Sequence, residues 1–283
     1  MRLLLAEDNY INQKLAIALL QKAGYSVDAV ETGAQALEKI KTQEYNAVLM
    51  DVQMPEMDGL EATRRIRAWE SERGLHLPII AMTAHAMRGD REQCLEAGMD
   101  DYVSKPLEPK TLFNALDRFL KTGEPAKESE SPPDVFPADF DLGLFGESVP
   151  ASRPTVEPAS VQEAVSSSSA LPLNLETALF RFGGDRDFML EMCRDYKDHL
   201  PARLAEIQEA ARTGDANRLT RAAHNLKGIS LNFNAETLAR LALQLEEAGR
   251  REDLTGVPAL VEQLEIESQR ALEYLANHVL VKE

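Results

Sequence analysis

Short apolar runs alternate with longer amphipathic stretches through the first 121 residues, and this alternation constrains the fold more than any other feature. The apolar runs predict β-strands at 2–6, 26–30, 47–50, 79–82 and 102–103. The amphipathic stretches predict helices at 12–23, 33–43, 59–73, 88–97 and 109–120. Several strands are apolar on both faces, as in sheets that helices cover on both sides. Five successive strand–helix units therefore predict an α/β fold with a doubly wound, five-stranded parallel sheet.

Reactive side chains follow four of the five predicted strands. They are Glu7 and Asp8 after the first strand, Asp51 after the third, Thr83 after the fourth and Lys105 after the fifth. In a parallel sheet these positions lie at one edge, where ligands bind. Three neighbouring carboxylates repel one another unless a cation is present, and an oxygen-only cluster suits Mg²⁺, with Mn²⁺ as the alternative ion. One such residue would be an ordinary cap or turn residue, but together they predict a metal site that binds a phosphoryl group.

The segments that carry these residues resemble the receiver domain of two-component response regulators over residues 1–121. The matching segments are LLLAEDN, VLMDVQMPEMDG, IIAMTA and YVSKP. The resemblance implies a flavodoxin-like fold in which Asp51 is the phosphoacceptor. It also implies that Asp8 and the main-chain carbonyl of Gln53 bind the metal directly, while Glu7 acts mainly through water.

Two further features follow from the same resemblance. The peptide bond between Lys105 and Pro106 is expected to be cis, an isomer that bonds before proline tolerate. Thr83 and Tyr102 are expected to form a switch that responds to phosphorylation. For Tyr102 a role as a core tyrosine is the alternative.

The composition changes to Pro, Ser, Ala and acidic residues between about 122 and 171. Without a sustained period, this stretch is predicted to be an acidic linker. Its DVFPADFDLGLFG segment is richer in Phe and Leu than a spacer requires. Both an incidental patch and a docking motif remain open.

Beyond Pro172 all long stretches have a helical period, at 174–182, 185–213, 215–233, 235–250 and 257–280. Pro201 is expected to bend or break the second helix. Asp185, Asp215 and Asn234 precede three helices as expected N-caps. The pattern predicts a separate all-α domain over 172–283, built as an antiparallel bundle.

His224 stands out among the five histidines, none of which has a paired metal spacing. It shares a face of the 215–233 helix with Thr220, Lys227, Gly228 and Leu231, away from the apolar stripe. An exposed imidazole there is a suitable nucleophile, and Lys227 can meet the charge of an incoming phosphoryl group. Gly228 costs helix stability, which is understandable if a bare surface lets a partner approach closely.

The segment AAHNLKG resembles the signature of histidine-containing phosphotransfer (Hpt) domains, and the resemblance extends over roughly 172–283. It implies a four-helix bundle with an added N-terminal helix and His224 as phosphoacceptor. One departure is Phe233-Asn234-Ala235, which stands where a glycine-containing turn is common and leaves the geometry of that turn open.

Together the two sites predict a phosphorelay segment. The expected partners are a cognate histidine kinase that phosphorylates Asp51 and a downstream response-regulator receiver that accepts from His224. A contact between the receiver and the Hpt domain is expected within or between chains. Two alternatives are an interaction module gated by phosphorylation and a phosphate sink that hydrolyses phospho-Asp51.

Charge and composition narrow the possible binding partners, the location and the activity of the chain. The net charge of −16 argues against nucleic-acid binding and against docking on anionic membranes. Cys94 and Cys193 suit a reducing compartment, so a cytoplasmic location is expected, with tethering through a membrane sensor kinase if the chain is a fragment. The sequence has no recognisable ATP-binding kinase domain, so no autokinase activity is expected. Either a small relay protein or the C-terminal part of a hybrid sensor histidine kinase fits, and the resemblance favours the second.

Overall fold

The computed structural model describes residues 1–83, 88–120 and 171–280. Apart from Leu171, the predicted linker and its Phe/Leu segment lie outside the described residues. The predicted domain limits at 121 and 172 therefore stay predictions. Within the described parts, the chain forms an N-terminal α/β domain and a C-terminal helical domain.

The N-terminal domain is built on a five-stranded parallel sheet with the order β2-β1-β3-β4-β5. The strands are β1 (Arg2–Ala6), β2 (Ser26–Val30), β3 (Ala47–Asp51), β4 (Ile79–Thr83) and β5 (Asp101–Ser104). The helices are α1 (Tyr10–Lys22), α2 (Gly33–Thr42), α3 (Gly59–Ser71), α4 (Arg88–Glu96) and α5 (Pro109–Leu120). Leu4 and its alternate neighbours pack on one face of the sheet, and Leu3 and Leu5 on the other. The doubly wound α/β fold is confirmed.

The strand order reverses between β1 and β3, which is where a sheet of this kind opens a crevice at the carboxyl ends of its strands. Asn9 caps α1 by accepting hydrogen bonds from the amides of Ile11 and Asn12. Gly59 begins α3 so close to β3 that a Cβ atom there would collide with the main-chain oxygen of Asp51. Both local features hold the loops around the crevice in place.

The C-terminal domain is entirely helical where the structure describes it. Its helices are α6 (Leu175–Arg181), α7 (Arg186–Thr213), α8 (Ala216–Asn232), α9 (Glu236–Arg250) and α10 (Val257–Tyr274), and Leu275–Val279 continues α10 as a π-helix. Tyr196 stacks on Phe233 with ring centroids 4.5 Å apart, and Phe182 lies 5.5 Å from Phe233. Among the described residues, no helix is long and apolar enough to cross a membrane.

Two local predictions for this domain need correction. The break expected at Pro201 is not found, because α7 continues through it and buries Leu200 and Ile207 on either side. Asp185 and Asp215 cap their helices as predicted, with bonds of 3.0 and 2.9 Å. Asn234 is not an N-cap, since it adopts a φ of 52° in the turn before α9. Asparagine tolerates this left-handed conformation well, so it takes the place of the expected glycine.

Helix α1 is shared by the two domains. Ile11, Leu15 and Leu19 are buried in the same apolar cluster as the core of the helical domain. On its other side, Ala16 and Leu20 belong to the core of the sheet. The expected contact between the two domains is therefore present within one chain.

Candidate functional site

Three carboxylates meet at the crevice where the strand order reverses. Oxygen atoms of Glu7, Asp8 and Asp51 all lie within 4.8 Å of one another. Glu7 and Asp51 are almost fully buried, whereas Asp8 is half-buried at the mouth of the crevice. The first strand and the third strand are hydrogen-bonded neighbours, and this pairing brings the cluster together.

Lys105 reaches the same cluster from the loop after β5. Its Nζ lies 2.6 Å from Glu7 Oε2 and 2.6 Å from Asp51 Oδ2. The bond between Lys105 and Pro106 is cis, as expected. Burial lowers the pKa of Lys105, but Asp51 and Glu7 raise it by more. The ammonium group therefore stays charged and offsets part of the negative charge.

The cluster keeps an excess of negative charge despite Lys105. Burial raises the pKa of Asp8 to about 6, and Glu7 adds to the rise. Burial also raises the pKa of Asp51, against the opposing effect of Lys105. Asp8 Oδ1 is buried without a hydrogen-bond partner. An unpaired carboxylate oxygen in an oxygen-only acidic cluster fits a hard divalent cation.

The other predicted residues of this domain lie around the cluster. The main-chain amide of Gln53 donates a hydrogen bond to Asp51 Oδ1 at 3.2 Å. Thr83 is buried at the end of β4, next to the strand that ends with Asp51. Tyr102 is half-buried on β5, with the guanidinium of Arg91 5.8 Å from its ring centroid.

His224 lies on α8 and is held by a carboxylate from α9. Its Nδ1 is 3.1 Å from Glu246 Oε1, and Lys227 Nζ is 2.6 Å from Glu246 Oε2. Arg250 approaches Glu246 Oε1 from the solvent side at 2.6 Å. The carboxylate of Glu246 can only accept a hydrogen bond, so Nδ1 of His224 must donate one. In the neutral ring Nδ1 therefore carries the proton, and Nε2 keeps its lone pair. This leaves Nε2 as the nucleophilic atom.

The pKa values of this pair move in directions that favour a neutral ring and a charged carboxylate. Burial lowers the pKa of His224 below its usual value, although Glu246 partly opposes the change. Burial raises the pKa of Glu246, but the bonds with His224 and Lys227 outweigh it and bring the value to about 2. At neutral pH the imidazole is therefore available as a nucleophile.

The solvent exposure predicted for the ring of His224 is not found, because only 7% of the residue is exposed. The α/β domain covers the helix that carries it. A cavity of about 1030 Å³ separates the two surfaces, and both Asp8 and His224 line it. His224 and one member of the acidic cluster, Asp8, therefore border the same cavity.

Amide side chains connect the two domains beside this cleft. Asn225 Nδ2 donates to Asp8 Oδ2 at 3.3 Å, and Asn9 Nδ2 donates to the main-chain oxygen of Asn225 at 3.4 Å. Asn232 Nδ2 donates to Asn12 Oδ1 at 2.8 Å, while Asn12 Nδ2 donates to Glu7 at 3.0 Å.

Gly228 lies close to α1, since a Cβ atom there would be 3.2 Å from Asn12 Nδ2. The bare helix surface predicted at this position thus faces α1.

Sequence reasoning missed Asn12, Asn225, Asn232 and Glu246. Glu246 carried a usable signal, because it is a charged residue on the apolar face of α9, between Ala242 and Gly249. The three asparagines had none, since their partners lie in the other domain.

Comparison with known families decides the identity of both domains. The model described as "Response regulator receiver domain" matches residues 3–117, and the model described as "Hpt domain" matches residues 191–277. The chain carries a receiver domain followed by an Hpt domain. This pair of domains serves phosphorelay signalling, in which a receiver aspartate and an Hpt histidine carry the phosphoryl group.

Similar proteins include hybrid sensor kinases. The chain is 32% identical to the sensor histidine kinase GacS of Pseudomonas protegens over 266 residues, which cover 92% of the chain and 26% of GacS. It is 50% identical over 121 residues to hybrid signal transduction histidine kinase I of Dictyostelium discoideum, covering 41% of the chain and 7% of that protein. The chain thus spans about a quarter or less of the length of these relatives.

One solved structure is the receiver domain of a sensor histidine kinase from Pseudomonas aeruginosa PAO1. It is 46% identical and covers 43% of this chain and 98% of its own, with a TM-score of 0.40. That structure has a magnesium ion coordinated in its active site cleft.

Proposed function

We propose that this chain passes a phosphoryl group between Asp51 and His224 as part of a hybrid sensor histidine kinase. The main support is the hydrogen bond of 3.3 Å between Asn225, the neighbour of His224, and Asp8, a member of the acidic cluster around Asp51. Asp8 of this cluster and His224 therefore border one cleft of one chain. The same chemistry in a separate small relay protein is the alternative setting.

In the transfer to the Hpt domain, Nε2 of His224 attacks the phosphorus atom of phospho-Asp51. A P–N bond forms and the P–O bond to the Asp51 carboxylate breaks, so its electron pair returns to that carboxylate. Glu246 holds the Nδ1 proton and stabilises the positive charge that develops on the ring. Lys227, whose Nζ lies 2.6 Å from Glu246 Oε2, contacts the phosphoryl group once it is on the histidine.

The acidic cluster fits Mg²⁺, with Mn²⁺ as the alternative. Asp8 and Asp51 would bind the ion directly together with the main-chain carbonyl of Gln53, and Glu7 through water. Such an ion supplies positive charge beside the phosphoryl oxygens. Lys105, whose Nζ lies 2.6 Å from Asp51 Oδ2, would contact the same oxygens.

The hydroxyl of Thr83 donates a hydrogen bond to a phosphoryl oxygen. Through this bond Thr83 couples phosphorylation to the side chain of Tyr102. Its support is its position at the end of β4, beside Asp51. The half-buried state of Tyr102 leaves its ring room for more than one position.

The partners follow from the direction of transfer. A phosphohistidine of a cognate kinase donates to Asp51, and the receiver of a downstream response regulator accepts from His224. The chain acts in the cytoplasm, tethered through a membrane sensor kinase when it is part of one.

Labelling with a small acyl phosphate and Mg²⁺ tests this function, because phosphoaspartate is base-labile and phosphohistidine is acid-labile. We expect base-stable label at His224 in the wild-type chain and only base-labile label in His224→Gln. The Asp51→Asn chain should carry no label. Release of inorganic phosphate without label at His224 would indicate a sink instead of a relay. Signalling that survives in His224→Gln would indicate a gated interaction module.

A further inference from the structure

An ion-pair cluster lies at the edge of the contact between the receiver and the Hpt domain. Lys14 of α1 places Nζ 2.6 Å from Glu191 Oε1 and 2.5 Å from Asp195 Oδ2, both on α7. Lys14 and Asp195 are each more than three-quarters buried, whereas Glu191 is about half exposed. We name Lys14, Glu191 and Asp195 the charge latch.

Neighbouring aromatic rings hold the charge latch in position. Tyr10 stacks on His199 with ring centroids 5.2 Å apart, and Lys14 Nζ lies 5.8 Å from the Tyr10 ring. His199 Nδ1 contacts the main-chain oxygen of Asp195 at 2.7 Å. Burial lowers the pKa of Lys14, but the bonds to Asp195 and Glu191 raise it by more, so the cation is fixed there.

The contact beside the latch leaves no room for a second receiver. Ile11, Leu15 and Leu19 fill the apolar surface of the bundle, and Asn12 lies against Gly228. With His224 only 7% exposed, another receiver reaches the ring only after α1 has left. In the part of the chain that the structure describes, the receiver of the same chain occupies the bundle surface beside His224.

Resting on the proposed relay, we propose that the charge latch selects which receiver docks on the Hpt domain and that the chain's own receiver blocks onward transfer while docked. Charge pairs at an interface decide between partners because like charges in contact are costly. The downstream partner is therefore a receiver that carries a basic residue at the place of Lys14. A receiver with an acidic residue there is rejected.

Transfer between two full-length chains tests this proposal. The donor is Glu191→Lys/Asp195→Lys/His224→Gln, in which the altered Hpt domain repels its own receiver and leaves Lys14 free. It is labelled at Asp51 with a small acyl phosphate. The first acceptor is Asp51→Asn, whose Hpt domain is covered by its own receiver. The second, called the open acceptor, is Asp51→Asn/Lys14→Glu, in which an acidic residue at position 14 repels Glu191 and Asp195 and releases the receiver.

We expect the donor to label the open acceptor about tenfold faster than the covered acceptor. The Asp51→Asn/Lys41→Glu acceptor is the matched control, because Lys41→Glu makes the same charge change on α2, where Lys41 pairs with Glu38 of its own helix. This control should be labelled as slowly as Asp51→Asn. Equal rates for all three acceptors, or slower labelling of the open one, would overturn the proposal.

A second donor, Lys14→Glu/His224→Gln, distinguishes selection of the receiver by charge from mere exposure of the Hpt surface. Its acidic receiver meets Glu191 and Asp195 of the open acceptor, so transfer should fall by about tenfold relative to the first donor. Equal transfer from both donors would contradict selection by charge. Loss of His224 label in the wild-type chain itself would instead contradict the relay, so the two failures are distinguishable.

Discussion

Glu246 is the residue that links structure to chemistry in the Hpt domain. It is fully buried, yet its two oxygens serve His224, Lys227 and Arg250. A buried carboxylate of this kind is tolerated because each oxygen is paired with a donor. It fixes which nitrogen of the imidazole carries the proton, and thus which nitrogen attacks in the proposed transfer.

Replacing Glu246 by Gln should slow label transfer to His224 by about 10- to 100-fold, because a bond to a charged acceptor contributes roughly 1.5–3 kcal/mol. Gln keeps the size of the side chain but loses the charge. The matched control is Glu247→Gln, since Glu247 is exposed and pairs with Arg251 at 3.3 Å. Single-turnover labelling measures both, and equal rates for the two variants would contradict a positioning role of Glu246.

The pKa of His224 provides an independent check at the same scale. Burial disfavours the imidazolium form, so the ring should titrate below 6.5 in the docked chain. The neutral nucleophile then persists as the pH falls through 6.5, and the protonated form appears only at lower pH. Two-dimensional NMR of the ring signals, assigned by comparison with His224→Gln, measures the midpoint. A midpoint above 6.5 would show that the bond to Glu246 outweighs burial and would contradict the lowered pKa.

The residues at the strand ends were predictable for a geometric reason. Glu7, Asp8, Asp51 and Lys105 follow parallel strands, and these strands end at one edge whatever the loops do. The burial of His224 was not predictable from its own helix. The neighbouring Asn225 contacts Asp8, more than 200 residues away along the sequence, and the pattern of α8 does not contain that contact.

Helix α1 is the element on which the docked arrangement depends. Ile11 and Ile17 lie on the same helix, but Ile11 packs in the bundle and Ile17 packs against the sheet. A helix with apolar residues on two faces is typical of one that is buried on both sides. This pattern is present in the sequence of α1, but it does not identify the surface that the second face contacts, and we did not predict that contact from it.

Replacing Ile11 by Ala should weaken docking by about 2–4 kcal/mol, because it removes buried methyl groups and leaves a cavity. His224 should then react with diethyl pyrocarbonate at least about tenfold faster, as the open state is more populated. Mass spectrometry of the peptide containing His224 measures the rate. Ile17→Ala is the control of the same residue type and helix. Equal acceleration in both variants would contradict a specific docking role of Ile11.

Helices α7 and α9 show where local rules fail. Pro201 removes one backbone donor, but the apolar face of α7 remains buried on both sides of it, so tertiary packing keeps the helix continuous. Asn234 satisfies the N-cap rule by residue type but adopts a left-handed turn conformation instead. In both cases the outcome depends on contacts that a single helix pattern does not contain.

The two folds are independent in sequence but joined in structure. Each domain was predictable because each has its own period, alternating strands and helices first and helices alone afterwards. How the domains dock was not predictable, since it depends on single polar contacts such as that of Asn232 with Asn12. The docked chain places Asp8 of the acidic cluster and His224 at one cleft, which favours the proposed transfer within the molecule.

The most direct test of this account is the rate at which label moves from Asp51 to His224 at different chain concentrations. We predict a first-order rate in the wild-type chain that does not change over a hundredfold dilution, because both acceptors belong to one docked molecule. The mixture of Asp51→Asn and His224→Gln chains should transfer more slowly, and its rate should rise with concentration. A wild-type rate that falls in proportion to dilution, or a mixture as fast as the wild type, would contradict the account.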